Sequence, residues 1–227
     1  MAVVNLDGIK IMNKKMNKTC FLIFSVAMTF QTTSVFASSA SDKPIDIEPI
    51  ARASFRADGA VKLPGDFHHW VHVGTFVKES GTNIFDGSKI DAPLIGNTYI
   101  EPSAYRHYME TGKWADGSQI VKEFTAAEKG KNCDPVSHVC KTPLGTAIYQ
   151  ENYTGFGYMV KDKKRFPNEA GNWAFFTSGN ITPPYPDTAQ KLPTAQCSAC
   201  HIANAGDQDF VFSAQKIGLD RTNPNNP

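Results

Sequence analysis

A mainly antiparallel β-sheet with a few short helices, class α+β, is the fold this sequence predicts. Three observations carry that reading. Seventeen Gly and fourteen Pro in 227 residues would break the interiors of a helix bundle and instead suit a turn-rich chain. Several short runs alternate apolar and polar residues with the period of a half-buried strand. Gly, Pro, Asn and Asp separate these runs, and nothing between them reads as a βαβ unit.

The elements follow in chain order. Trp70–Val77 places Val71, Val73, Thr75 and Val77 on one face, as a strand does. Asn97–Glu101 leads into Pro102–Thr111, a short helix bracketed by Pro at its first turn and Gly112 past its end. Ser118–Ala126, Leu144–Tyr149, Gly155–Lys161 and Trp173–Thr177 read as further strands. A last short helix, opening near Pro193–Thr194, carries the motif Cys197-Ser-Ala-Cys-His201. Residues 222–227 form a loose Asn/Pro tail, and there is no internal repeat. One domain over 52–221 accounts for the chain after a leader (1–40) and a linker (41–51).

Charge excludes two function classes. With 23 Lys+Arg against 22 Asp+Glu there is neither a basic stripe for nucleic acid nor a charged block for a membrane surface. Charged residues at 20% with 11% aromatics do not describe a disordered chain.

The leader is a secretory signal. Lys14, Lys15 and Lys18 precede an uncharged run, Thr19–Phe30, and small residues follow at Ala37 and Ala40, either of which suits cleavage. Translation starting at Met12 or Met16 fits the same pattern. The apolar run is too short to span a bilayer, so no membrane span is expected after cleavage. Removing 1–40 takes away four Lys and one Asp, leaving 19 basic against 21 acidic residues. An exported, periplasmic protein is the expectation.

Cys197-x-x-Cys200-His201 is the attachment motif of c-type haem. Two thiols one helical turn apart reach the two vinyl groups of one porphyrin, and the adjacent imidazole ligates iron. A zinc site needs a second pair of matching spacing, and Cys133/Cys140 is not one. That other pair closes a short loop around Asp134-Pro135 and reads as a disulfide in an oxidising compartment, with a cramped metal site using His138 as the alternative.

Only 26 residues follow His201, none of them Met or His. A sixth iron ligand would have to come from upstream, from Met109, Met159, His68, His69, His72, His107 or His138. Five-coordinate haem with an open face is the simpler expectation, and it means binding or transforming a small molecule.

Leu63-Pro64, Trp70-Val71, Val73-Gly74-Thr75, Tyr99-Ile-Glu-Pro102, Thr111-Gly-Lys113, Asp116-Gly117, Val121-Lys-Glu123, Lys164-Arg-Phe166, Asn168-Glu169, Gly171-Asn-Trp-Ala-Phe175 and Leu192-Pro-Thr-Ala195 before the haem motif resemble cytochrome P-460, in order, over roughly residues 52–213. The resemblance implies a homodimeric, β-rich, periplasmic protein with one five-coordinate haem c per chain. It implies oxidation of hydroxylamine to nitric oxide and nitrous oxide, with a soluble cytochrome c as electron acceptor. The related β-sheet cytochromes c′ share the fold, and they imply a nitric-oxide-binding carrier or sensor as the alternative. The loop around Cys133 and Cys140 departs from the pattern and reads as an insertion near 128–143.

One lysine separates these branches. In Ser118–Phe124 alternation puts Ile120, Lys122 and Phe124 on one face and Val121 and Glu123 on the other. Alternation alone leaves open whether Lys122 points inward or into solvent. The resemblance matches Lys122 to the family's lysine that bonds to a haem meso carbon, a link that tunes iron by perturbing the macrocycle. A proton acceptor over the haem is also needed, and Glu101, Glu123, Glu169 and Gln196 lie in matched segments without any being singled out. Phe76, Phe156, Phe175 and Phe176 are candidates for the pocket wall.

Overall fold

A computed structural model of the chain describes residues 49–79, 81–82, 87–90 and 92–226. The leader at 1–40 and most of the linker at 41–51 lie outside the described residues. The elements are β1 (Val61–Lys62), β2 (Val71–Lys78), β3 (Gly81–Thr82), β4 (Lys89–Ile90), β5 (Leu94–Ile100), α1 (Pro102–Thr111), β6 (Gln119–Ala127), β7 (Cys140–Thr142), β8 (Gly145–Ala147), β9 (Gln150–Lys161), β10 (Trp173–Thr177), β11 (Thr188–Ala189) and α2 (Cys197–Ala205). Short 3₁₀ turns punctuate the rest.

The principal sheet runs β2-β5-β6-β9-β10, antiparallel throughout, so its strands are neighbours in space in the order of the chain. The excursions between them are hairpin β3–β4, helix α1 and hairpin β7–β8. A separate pair, β1–β11, ties the 61–62 segment to residues 188–189. The α+β reading with a Cys-bearing C-terminal helix therefore holds.

Both faces of the sheet are covered, so each strand reads as two apolar sets. The front face gathers Ile100, Ile120, Met159, Trp173 and Phe175 under α1 and the chain around Val211 and Leu219. The back face gathers Val121, Phe156, Tyr158, Val160 and Phe176 under Val61, Leu63 and Phe67. Val121 and Val160 are fully buried, each contributing roughly 1.5–3 kcal/mol of transfer free energy.

Helix α1 begins and ends as its sequence dictates. The Glu101 carboxylate accepts from the Ala104 N–H at 3.0 Å, and Gly112 (φ 72°) returns its N–H to the Tyr108 carbonyl at 2.7 Å.

Boundaries differ from the sequence reading where burial or exposure overrides alternation. β5 extends back to Leu94 because the strand is central and buried on both sides. Gly96 is needed there, since a Cβ would fall 1.8 Å from the Phe76 ring. The strand expected at 144–149 is only Gly145–Ala147, the exposed return of hairpin β7–β8. β9 starts at Gln150, five residues before Gly155, and the early part is exposed polar chain held by pairing to β6. Residues Pro193–Gln196 close as a turn, so α2 begins at Cys197 itself. Cys133 and Cys140 are joined in a disulfide across the 128–143 segment, and His138 turns its Nδ1 to the Glu128 carbonyl at 3.1 Å. No described helix is long and apolar enough to cross a membrane.

Candidate haem site

The front face of the sheet and the C-terminal chain enclose an apolar cavity of about 710 Å³ including its mouth. Ile120, Lys122 and Phe124 of β6 line it from the sheet, and Cys197, His201, Phe212 and Lys216 line it from the chain that closes over the sheet. Alternation along β6 thus carries Lys122 onto the cavity wall while Glu123 goes to the back.

His201 is held from two sides. Its Nδ1–H donates to the Phe210 carbonyl at 2.7 Å, which leaves Nε2 as the free ring nitrogen. Phe175 and Phe212 pack their rings 4.6 and 4.9 Å from the imidazole. Burial pushes the His201 proton affinity down, favouring the neutral ring that a metal needs. The carbonyl comes from an unusual turn, in which Asp209 (φ 50°) and Phe210 (φ 62°) are both left-handed without being glycine. Gly171 lets the Phe210 ring settle, since a Cβ there would lie 2.4 Å from it.

Lys122 is flanked by Thr98 on β5 and by Gly157 on β9, the latter leaving space beside it. Its amine sits 4.1 Å from the Phe76 ring centre and 5.8 Å from that of Phe124. Burial above all, then the ammonium groups of Lys216 and Lys78, lowers its pKa to about 8, opposed by Cys200. At pH 7 roughly one molecule in ten then carries the free amine, against fewer than one in a thousand for an ordinary lysine.

Cys197 and Cys200 are free thiols on the first turn of α2, Cys197 partly buried against the front core and Cys200 exposed. Burial raises the Cys197 pKa. Two thiols on one turn, a neighbouring imidazole with a free Nε2, apolar walls and a buried Thr98 hydroxyl lacking a partner fit a covalently held haem.

The family model for cytochrome P460 matches residues 64–213. The chain belongs to this family. A cytochrome P460 protein is a c-type haem protein. No curated relative matches the chain.

The remaining sequence candidates fall elsewhere. Glu101 caps α1, and Glu169 pairs with Lys191 at 2.6 Å and takes the Thr194 hydroxyl at 2.9 Å. Glu123 accepts from His68 Nε2 at 2.8 Å on the back face, and Gln196 is an exposed residue before α2. None of the four lines the cavity. Of the upstream iron-ligand candidates, Met159 alone lines it. Phe175 and Phe176 reach the cavity, whereas Phe156 belongs to the back core and Phe76 sits beneath the Lys122 amine. Sequence reasoning missed Lys216, a second lysine on the wall. Its signal was faint: it is the lone cation between Asp209 and Asp220 in an otherwise uncharged stretch.

Proposed function

We propose that this is an exported, periplasmic cytochrome P460 enzyme that oxidises hydroxylamine to nitric oxide and nitrous oxide. Cys197 and Cys200 hold one haem c by thioether bonds, His201 Nε2 ligates its iron, and Lys122 bonds to the macrocycle. The observation that carries this reading is the Lys122 amine, held in an apolar cavity with its pKa lowered to about 8 and sharing that cavity with Cys197 and His201. An amine that sheds its proton near neutrality is a nucleophile, which an ordinary surface lysine is not.

When bound, the haem supplies an iron that takes electrons from a small nitrogen compound. The chain does the rest. The Phe210 carbonyl fixes the tautomer and plane of His201. Apolar walls at Ile120, Phe124, Phe175 and Phe212 exclude bulk water from the reacting ligand. Hydroxylamine oxidation also releases protons. Lys216, whose proton affinity burial lowers, is a second titratable amine on the same wall. Electrons leave to a soluble cytochrome c, and the protein works as a homodimer.

A second reading has one observation in its favour. Among the described residues no carboxylate lines the cavity, so its chemistry also suits simple retention of nitric oxide by a carrier or sensor. Lys122→Leu separates the two. Digestion of the native protein yields a haem peptide joining the 197–201 segment to the Lys122 peptide. The variant keeps both thioethers and nitric oxide binding and loses hydroxylamine oxidation. A native protein without that joined peptide, and a variant as active as the parent, hand the function to the carrier reading.

A further inference from the structure

The left-handed turn at Asp209–Phe210 presents two consecutive carbonyls to two aromatic N–H groups. The Phe210 carbonyl takes the His201 Nδ1–H at 2.7 Å, and the Asp209 carbonyl takes the Trp173 indole N–H at 2.9 Å. Adjacent non-glycine residues at positive φ are costly, and such strain is kept where the surroundings enforce a particular geometry. Here the geometry links the iron-binding imidazole to a buried indole through a single stretch of backbone.

From Trp173 the rings continue outward. Trp114 meets it edge-on, with centroids 6.3 Å apart, and Tyr108 stacks on Trp114 at 4.2 Å with an 18° angle between planes. Trp173 and Trp114 are buried, and the Trp114 N–H has no partner among the described residues. Tyr108 is partly exposed and opens on a surface groove lined by Ser213, Lys216, Ile217 and Arg221. These are the side chains most readily oxidised by one electron, in ring-to-ring contact from Trp173, which the Asp209–Phe210 backbone ties to His201, out to water. Neither the haem chemistry nor the Lys122 bond uses them.

We propose that Trp173, Trp114 and Tyr108 form a one-electron relay that carries oxidising equivalents from the haem site to the Tyr108 groove when the protein meets a peroxide. The electron count closes. A hydroperoxide's O–O bond breaks on taking two electrons and two protons, giving water and an alcohol, or two waters from hydrogen peroxide. The haem centre gives one electron and the relay gives the other. Tyr108 reduces Trp114, Trp114 reduces Trp173, and Trp173 reduces the haem site. The hole moves on from the two buried indoles, and the Trp114 N–H has no partner among the described residues to take its proton. It comes to rest on Tyr108, which releases its phenolic proton to water in the groove and becomes a neutral tyrosyl radical. A small aromatic reductant entering the groove restores it, and a second equivalent, passed along the same rings, returns the electron the haem centre gave.

The proposal rests on haem attachment at Cys197, Cys200 and His201, and intact mass verifies that attachment before peroxide is added. The ferric holoprotein is then mixed with hydrogen peroxide and a nitroso spin trap, frozen for electron paramagnetic resonance and digested for mass spectrometry. The expected result is a tyrosyl signal and a trap adduct on the Tyr108 peptide. Tyr108→Phe, which keeps the stacked ring, should abolish the tyrosyl signal and speed haem bleaching several-fold. Trp114→Phe should abolish the Tyr108 adduct while the ferric spectrum stays that of the parent. An adduct confined to Tyr149, Tyr153 or Tyr185, or equal bleaching in the parent and Tyr108→Phe, would overturn the relay.

Discussion

Gly171→Ala should loosen the support of His201 from a distance. The new methyl group would enter the Phe210 ring, 2.4 Å from one carbon and 2.6 Å from the next, and approach the Asp209 carboxylate at 3.0 Å. Position 171 also has φ +59°, where a side chain costs about 1–2 kcal/mol. Displacing a packed ring adds about 1–3 kcal/mol. A loss of about 2–5 kcal/mol lowers the melting temperature by about 4–20 °C in a domain of this size. Gly59→Ala is the control, because its φ is +86° with no atom within 4 Å of the added carbon. It should lose only the backbone part, about 1–2 kcal/mol. The decisive assay is resonance Raman of the ferrous protein. Moving Phe210 weakens the hydrogen bond from His201 Nδ1, so the iron–histidine stretch should fall in Gly171→Ala and stay put in Gly59→Ala. Equal melting losses in the two variants, with an unmoved stretch, would refute the account of how His201 is held.

The ferrous protein should be high-spin and bind carbon monoxide. If it is low-spin instead, Met159→Leu should convert it, since among the described residues Met159 is the one thioether on the cavity wall. Cys133→Ala with Cys140→Ala should cost roughly 2–3 kcal/mol by loop entropy and leave the haem spectrum unchanged, as denaturant titration and absorbance would report. Glu123 has its pKa raised, chiefly by burial and in part offset by His68. A carboxyl raised in the folded state stabilises fully below its unfolded value near 4.5 and loses that contribution as pH climbs through the folded value. Glu123→Gln should therefore gain on the parent in denaturation midpoint as pH rises above about 4.5, and a constant difference would contradict this.

The haem motif and the shared face of Ile120, Lys122 and Phe124 were legible because each depends on local spacing, one helical turn for the thiols and a period of two for the strand, whereas which way that face points depends on the layers packed on the sheet. Helix α1 was legible from its own caps at Pro102 and Gly112. The extent of β5 was not, because a strand buried on both faces loses the alternation that announces it. Lys216 and the Asp209–Phe210 turn were invisible for another reason. Their roles come from the C-terminal chain folding back over β2, where Gly218 lets it press against Val73 and Gly74 gives the Lys216 side chain its bed. No local pattern encodes a meeting between residues so far apart in the chain. The same applies to Glu123 and Glu169, whose partners His68 and Lys191 come from other segments and hold them away from the cavity.

Lys122 and Glu123 stand back to back on β6, one serving the cavity and the other the rear layer. This gives a protein engineer a dividing wall. Dyes, surface tethers or electrode linkers can be attached behind the sheet, around half-exposed His68, without touching the haem compartment. The wall also fixes where tampering is forbidden. A one-residue slip of β6 against β5 would trade the two side chains, placing an acid against the haem and an amine in the rear core.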